Sequence, residues 1–397
     1  LKYKYYSNNI KMKTFIKITI FLIVAFTLNV QKAFAEEKIK IGLLVPLSGQ
    51  DKDIGKSIIK STRLAINKIN NSSIEIIPRD TGSNPDTTFK NAKELSESGV
   101  KIIIGPIFNK NLIYLDQLKD TLFLSLTNKT IKNPKNIISV GINARSQLNT
   151  IKKFQKLNEL KKTIFLIPKE KYKEEIEIAI KQSKINKTKV YYYDSDPTKL
   201  TKQIEKITKY SIRKQNVKDE IKRLEKSDEA NKEKKIENLK KRDTLGKIGF
   251  DSVIISDFGK NLKSITTSLL YTDVLPSKVY FITLNQWFDE SLLKETSSQP
   301  IYFPSINKEN YDIFIKNYYE KFEEYPNQLS FLSYDVIGLI YYLMSENNFS
   351  FDKKMFLKKN KFKGKVGIFE IKENKINHIL NFYKVEDNNF KKIFWFS

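Results

Sequence analysis

The feature of this sequence that most constrains its fold is a repeated alternation of short apolar runs with longer amphipathic segments. The first apolar run, 39–44, is followed by 54–70, in which isoleucine and alanine recur at helical spacing. Asn84 and Pro85 then have the pattern of a helix start, with asparagine as the cap and proline in the first turn. Further short apolar runs follow at 74–77, 101–104 and 122–124. This alternation predicts βαβ units, and therefore a parallel sheet covered by helices on both faces.

A second series of the same kind begins after 141–145, where we expect the chain to leave the first sheet. Its apolar runs lie at 163–167, 190–193, 252–255 and 279–282. A chain of 397 residues is long enough for two such bodies. We therefore predict an α/β fold of two lobes, each a doubly wound parallel sheet.

Residues 211–243 interrupt the second series with dense charge of both signs. They contain neither glycine nor proline, and Val217, Ile221 and Leu224 are spaced as on one helical face. A helix or helical hairpin projecting from the second lobe is predicted. Two interpretations remain open: a solvated excursion without a role, or a docking surface for another protein.

The N-terminal residues 1–35 have the pattern of a cleavable signal peptide. Three lysines in 11–17 precede the apolar stretch 18–30, and Ala-Phe-Ala at 33–35 is a cleavage pattern. We expect cleavage after Ala35, export to the periplasm and only transient membrane contact, with an uncleaved anchor as the alternative. The residues before Met12 read as an overextended start.

Catalytic and metal chemistry find little support in the composition. The chain has no cysteine, which excludes disulfides, thiol catalysis and a lipid attached to cysteine, so we expect no lipoprotein anchor. The single histidine, His378, argues against a zinc site and against a Ser-His-Asp triad, and no phosphate-binding glycine motif occurs. We expect no catalytic residue, no metal and no cofactor, and hence a binding protein rather than an enzyme.

The net charge of +26 would suit nucleic acid, but an export signal argues against that partner. Attraction to anionic lipid or to a cell-wall polymer is the alternative that this charge leaves open.

Ligands of parallel sheets bind where loops follow the carboxyl ends of the strands. In the first lobe those loops are 48–55, 79–82, 105–110 and 125–129, and in the second they are 168–172 and 257–259. Hydroxyl groups at Ser48, Ser125 and Thr127, together with amides at helix starts, suit an anionic group such as a carboxylate.

Several of these segments resemble a known family. IGLLVPLSG at 41–49, RDTG at 79–82, IGP at 104–106 and GKVGIF at 364–369 resemble the leucine/isoleucine/valine-binding proteins. Within that superfamily the chain is most similar to alphaproteobacterial penicillin-binding protein activators, whose charged insertion also ends in Arg-Asp-Thr-Leu-Gly, here 242–246.

The resemblance implies a type I periplasmic-binding-protein fold with a hinged cleft that the chain crosses three times. The crossings are expected near 141–145, 278–284 and 363–366. The expected boundaries are 38–143 and 284–363 for lobe 1, and 144–283 and 364–397 for lobe 2, with the insertion at 211–243 inside lobe 2.

The resemblance also implies ligand-binding positions. Amino-acid binders of the family hold the ligand carboxylate at loops that match 108–110 and 125–129, and a tyrosine matching Tyr172 covers the ligand. The candidate cleft residues are Ser48, Asn109, Ser125, Thr127, Asn128 and Tyr172. The family's usual serine cluster, its Ala-Ala-Thr segment and the glycine after the tyrosine are replaced here by 108–110, 127–129 and Lys173, which favours a fold adapted to protein contact.

Two functions follow as hypotheses. The first is a penicillin-binding protein activator that stimulates peptidoglycan synthesis through contact with a peptidoglycan synthase. The second is a solute-binding subunit of an ABC importer, with a permease and a small amino-acid-like ligand as partners.

Overall fold

The computed structural model describes residues 38–70, 74–130, 134–170, 172–358, 360–372 and 375–394. The predicted signal peptide and its cleavage site lie outside these residues. The strands are β1 (Ile39–Val45), β2 (Ile74–Asp80), β3 (Ile102–Ile104), β4 (Leu122–Ser125), β5 (Ile137–Ser139), β6 (Thr163–Pro168), β7 (Lys189–Tyr193), β8 (Ser252–Ile255), β9 (Tyr280–Thr283), β10 (Ile301–Ser305), β11 (Asn360–Lys363), β12 (Ile368–Lys372), β13 (Lys375–Ile379), β14 (Asn381–Glu386) and β15 (Asn389–Phe394). The α-helices are α1 (Lys52–Ile69), α2 (Pro85–Glu97), α3 (Ala144–Leu157), α4 (Lys173–Ser183), α5 (Pro197–Thr208), α6 (Tyr210–Glu225), α7 (Lys232–Lys240), α8 (Gly259–Tyr271), α9 (Lys308–Phe322) and α10 (Gln328–Glu346).

The strands form two sheets. The first has the order β11-β12-β13-β5-β4-β3-β1-β2, and the second has the order β15-β14-β10-β9-β8-β6-β7. Strands β1 to β5 are parallel to one another, as are β6 to β10. In the first sheet β11 and β12 add antiparallel pairings, and in the second sheet β14 and β15 do so. The predicted two-lobed α/β fold is confirmed, with mixed edges on mostly parallel sheets.

Successive residues of each central strand point to opposite faces of the sheet, and both sets are apolar. This explains why helices cover both faces. On β1, Leu43 packs in the same cluster as Ile58 of α1, whereas Leu44 packs with Leu95 of α2. Such burial on two faces favours strands that read as continuous apolar runs. The predicted helix start at Asn84 is confirmed, because its side chain accepts the backbone N–H groups of the first turn of α2.

The chain passes between the sheets after β5, after β10 and between β13 and β14. The second and third passages lie later than 278–284 and 363–366, where the sequence predicted them. Ile301–Ser305, expected in lobe 1 as part of 284–363, pairs in parallel with β9 of the second sheet. The hairpin 368–379, expected in lobe 2 as part of 364–397, pairs within the first sheet. The reason is that backbone pairing with a distant strand, rather than local pattern, decides which sheet a strand joins.

The charged segment forms a helical hairpin of α6 and α7, called the insertion hairpin below. Val217, Leu224 and Leu239 form a small buried cluster of their own between the two helices. The connection between α6 and α7 ends at Asn231, which has a left-handed backbone. No helix among the described residues is long and apolar enough to cross a bilayer.

Candidate functional site

A cavity of about 770 Å³ lies between the two lobes. It is bounded by the loops that follow β3 and β4, by the first passage between the sheets, by the loops that follow β8 and β9, and by the start of α10. Its lining includes Ile107, Phe108, Asn109, Lys110, Leu126, Thr127, Asn128, Lys129, Gly141, Ile142, Gln147, Phe258, Asn285, Gln286, Trp287, Asp289, Gln328, Leu329 and Leu332. The cavity therefore occupies the carboxyl-end position at which α/β folds bind ligands.

Three of the predicted residues, Asn109, Thr127 and Asn128, line this cavity. Thr127 is buried and its hydroxyl accepts the backbone N–H of Lys129 at 3.2 Å, which holds the loop in a tight turn. Gly141 lies against the same loop, and a Cβ atom there would come within 2.6 Å of the Thr127 carbonyl oxygen. The absence of a side chain at Gly141 thus lets the passage between the lobes touch the loop after β4.

Tyr172 lies at the edge of the cavity, in an adjoining depression of about 710 Å³ that shares Asn109 and Lys129 with it. The tyrosine is 45 % exposed, and its ring meets Phe258 edge-on, with 6.2 Å between the ring centroids. Phe258 itself lines the interlobe cavity. The structure therefore puts Tyr172 next to the cleft without making it a wall of the main cavity.

Ser125 and Ser48 lie away from the cavity. Ser125 is fully buried, and its hydroxyl donates to the carbonyl of Pro106 at 2.7 Å. Ser48 lies in the loop tied down by Asp80, which accepts the backbone N–H groups of Leu47 at 2.7 Å and of Gly82 at 2.8 Å. Burial acts to raise the pKa of Asp80, but hydrogen bonds from the Ser48 side chain and these amides hold it below its ordinary value. Both serines therefore stabilise loops.

Gln147 and residues 285–289, on the second-lobe side of the cavity, were not singled out from the sequence, whereas the loop 257–259 that contributes Phe258 was. Gln147 connects two elements there, because its Oε1 accepts the backbone N–H of Asn285 at 2.8 Å and its Nε2 donates to the carbonyl of Ile142 at 3.2 Å. Gln286 donates to the hydroxyl of Thr283 at 2.9 Å. The rule that ligands bind at loops after the carboxyl ends of parallel strands also indicates 285–289, since these residues follow β9.

The segment after β3 contains two short 3₁₀ turns, Asn109–Leu112 and Leu115–Gln117. Tyr114 between them has a left-handed backbone with φ 73°, which interrupts a continuous helix. This irregular backbone carries Asn109 and Lys110 into the cleft.

The charges at the cleft are divided between the lobes. Lys110 and Lys129 come from the first lobe and Asp289 from the second. In the adjoining depression, burial raises the pKa of Glu175, and the charge of Lys129 partly opposes that rise. The described residues contain no group of three or more histidine, cysteine or carboxylate side chains arranged to hold a metal ion. The arrangement suits a ligand with a carboxylate held by Lys110 and by the amides of the first lobe.

Comparison with known proteins agrees with this geometry. Residues 38–212 match a family described as periplasmic binding protein. The leucine binding protein LivK from Thermotoga maritima has a TM-score of 0.57 at 14 % identity, with 90 % of this chain and 98 % of that chain covered. This chain has the type I periplasmic-binding-protein fold. The resemblance to leucine/isoleucine/valine-binding proteins seen in the sequence is thereby confirmed at the level of the fold.

Two further solved structures share the periplasmic-binding-protein fold. A solute binding protein of an ABC transporter from Rhodopseudomonas palustris, in complex with 3,4-dihydroxybenzoic acid, has a TM-score of 0.57 at 16 % identity and covers 90 % of this chain and 96 % of that chain. The C-domain of LpoA from Haemophilus influenzae, a regulator of PBP1A, has a TM-score of 0.57 at 14 % identity. The match covers 89 % of this chain and 100 % of that chain. No curated protein matches the sequence. At these identities the likeness establishes the fold, which is shared by solute-binding proteins and a regulator.

Proposed function

We propose that this periplasmic-binding-protein-like chain is an exported, non-catalytic activator of a peptidoglycan synthase that acts by direct contact through the insertion hairpin. The observation that carries the proposal is this hairpin, which is ordered, charged and remote from the cleft. Similarity in fold to LpoA, a regulator of PBP1A, supports the same class of function.

The insertion hairpin is a built element rather than a loose excursion. It has its own buried cluster of Val217, Leu224 and Leu239, and it is attached to the lobe through Arg213, which donates to the carbonyl of Thr272 at 2.7 Å. An ion-pair network joins its two helices, because Glu229 in the connection accepts from Arg223 of α6 and Lys235 of α7. Ordering these groups costs conformational entropy, so a rigid exposed hairpin favours a role in contact over a passive loop.

The hairpin lies at the edge of the second sheet opposite the cleft. Its base adjoins residues 161–162, 251 and 278, which directly precede β6, β8 and β9. The cavity between the lobes lies at the carboxyl ends of the same strands. A partner bound to the hairpin would therefore leave the cleft accessible.

Three exposed lysines of the hairpin, Lys218, Lys222 and Lys234, form no salt bridge with any residue that the structure describes. Cations of this kind are available to an acidic face on a partner, and they raise association rates when charges are complementary. We therefore expect the synthase to present an acidic contact surface.

The test is a pull-down and a glycan-synthesis assay with the synthase of the same organism. We expect Lys218→Glu, Lys222→Glu and Lys234→Glu together to weaken binding and remove stimulation. A matched control with Lys68→Glu, Lys90→Glu and Lys101→Glu changes the charge of the first lobe by the same amount and should retain both. A second variant replaces 217–240 by a short Gly-Ser linker. Unchanged stimulation by both hairpin variants would refute the proposal.

Solute binding is the second candidate, and the interlobe cavity lined by Asn109, Thr127 and Asn128 favours it. A ligand bound only by the native state raises stability, by about 2.7 kcal/mol at a hundredfold excess over Kd. Amino acids and aromatic carboxylates should therefore be screened by thermal shift, with Asn109→Ala as the variant that weakens a hit. A screen without any shift, on protein whose circular dichroism shows the native fold, would argue against transport.

A further inference from the structure

A second cavity, of about 930 Å³, lies where the base of the insertion hairpin meets the amino-terminal edge of the second sheet. It is called the basal pocket below. Its walls are the residues just before β6 and β9 and the segment 241–250 that follows α7. None of its lining residues belongs to the lining of the interlobe cavity.

The basal pocket is rich in positive charge. Six cationic side chains without an acidic salt-bridge partner among the described residues line it: Lys161, Lys162, Arg213, Arg242, Lys247 and Lys278. A seventh cation, Lys241, pairs with Glu237 at 2.7 Å. Clustered cations repel one another, so this arrangement is stabilised when an anion occupies the space between them.

Three carboxylates also line the basal pocket, and each accepts hydrogen bonds from neighbouring groups. Asp251 accepts the backbone N–H groups of Lys161 and Lys162 at 3.0 and 2.9 Å. Asp243 accepts the hydroxyl of Tyr210 and pairs with Lys214. The third, Asp273, accepts the hydroxyl of Thr244. These carboxylates stabilise the walls, and because the lining has seven cationic side chains but only these three carboxylates, the pocket keeps an excess of positive charge.

Arg213 is the buried member of this group, with only 3 % of its surface exposed. Its Nη2 donates to the carbonyl of Thr272 and to the hydroxyl of Thr244, whereas its Nε and Nη1 have no hydrogen-bond partner among the described residues. A buried guanidinium without an ion-pair partner is costly. Asp273 and Asp243 act on this guanidinium through their charges without forming an ion pair with it, and an anion in the basal pocket would add counter-charge there.

We propose that the basal pocket binds a phosphate-type polyanion, and that a diphosphate group is the chemistry that fits it best. Guanidinium and ammonium groups together are the usual partners of phosphate oxygens. A volume of about 930 Å³ is large for one phosphate and leaves room for a group attached to a diphosphate. The site is independent of the function proposed above, because it uses neither the interlobe cleft nor Lys218, Lys222 and Lys234.

The test is calorimetric titration of the purified full chain with inorganic diphosphate at constant ionic strength. Arg242 and Lys247 are exposed, so Arg242→Gln with Lys247→Gln should leave the fold intact and raise Kd about tenfold or more. The control Arg63→Gln with Lys90→Gln removes the same two charges from exposed positions on the first lobe and should change Kd by less than about twofold. Both variants should show the circular dichroism spectrum of the native protein, so that a change in Kd reports the lost charges rather than unfolding.

A nucleoside diphosphate, titrated in parallel, separates the two sources of the same chemistry. Tighter binding of the nucleoside diphosphate would indicate that the ligand is a diphosphate with an attached group, whereas stronger binding of the inorganic ion would indicate free diphosphate. The proposal is overturned if neither probe binds, or if the control variant weakens binding as much as the pocket variant does.

Discussion

The only histidine of the chain, His378, offers a direct test of how burial controls charge in this fold. It lies on β13, close to the third passage between the sheets, and is 7 % exposed. Its ring Nε2 is 2.9 Å from the carbonyl oxygen of Val140, and its backbone N–H donates to the hydroxyl of Ser146. Burial lowers the pKa of His378 to about 4, and the hydrogen bond to Val140 only partly opposes this.

The size and the sign of the effect of His378 on stability follow from the linkage between proton binding and folding. A histidine in the unfolded chain titrates near 6.5, and one pKa unit corresponds to about 1.4 kcal/mol, so the difference amounts to about 3 kcal/mol. Between pH 6.5 and pH 4 the unfolded chain binds a proton that the native state does not. The contribution of His378 to stability is therefore full above pH 6.5 and is lost as the pH falls to about 4.

Two measurements check this. Because the chain has one histidine, its ring gives a single Cε1–H resonance in NMR spectra, which should titrate near pH 4 in the native protein. In urea unfolding, the free energy of unfolding of the wild type minus that of His378→Gln should decrease by about 3 kcal/mol between pH 7 and pH 4. A resonance that titrates near 6.5, or a difference that does not change with pH, would refute the reasoning.

Three further predictions concern Gly141, Asp335 and Leu224. Gly141→Ala should lower the free energy of unfolding by about 1–3 kcal/mol, because its Cβ would press on the Thr127 carbonyl; the control Gly338→Ala, inside α10 and with only ordinary contacts, should raise it by about 0.5–1 kcal/mol in urea unfolding. Burial raises the pKa of Asp335 to about 7, so its contribution to stability is present below pH 4 and is lost as the pH rises to about 7. We expect the free energy of unfolding of Asp335→Asn minus that of the wild type to increase between pH 4 and about pH 7. A difference that does not change with pH would contradict this. Leu224→Ala should cost the insertion hairpin about 2–5 kcal/mol of local stability and speed hydrogen exchange there, while exchange in the central strands stays unchanged.

The candidate site was predictable to the extent that loop position determines it. Asn109, Thr127 and Asn128 follow the third and fourth strands and line the cavity, as the carboxyl-end rule predicts. Ser125 comes from the same loop, yet it is the last residue of β4 and its side chain is buried beneath Pro106. A shift of one or two residues along a strand thus decides between the ligand side and the core, and the sequence alone does not locate the end of a strand that closely.

The sequence by itself determined the class of fold, because alternating apolar runs and helical segments leave few ways to bury both faces of a strand. It also determined local features such as the cap at Asn84, which depends on residues within one helical turn. The tertiary structure decided which sheet β10 and the hairpin 368–379 join, how deeply His378 and Arg213 are buried, and which cations surround the basal pocket. The physical reason is that strand pairing, desolvation and charge clustering depend on residues far apart in the chain, whereas periodicity records only the local environment.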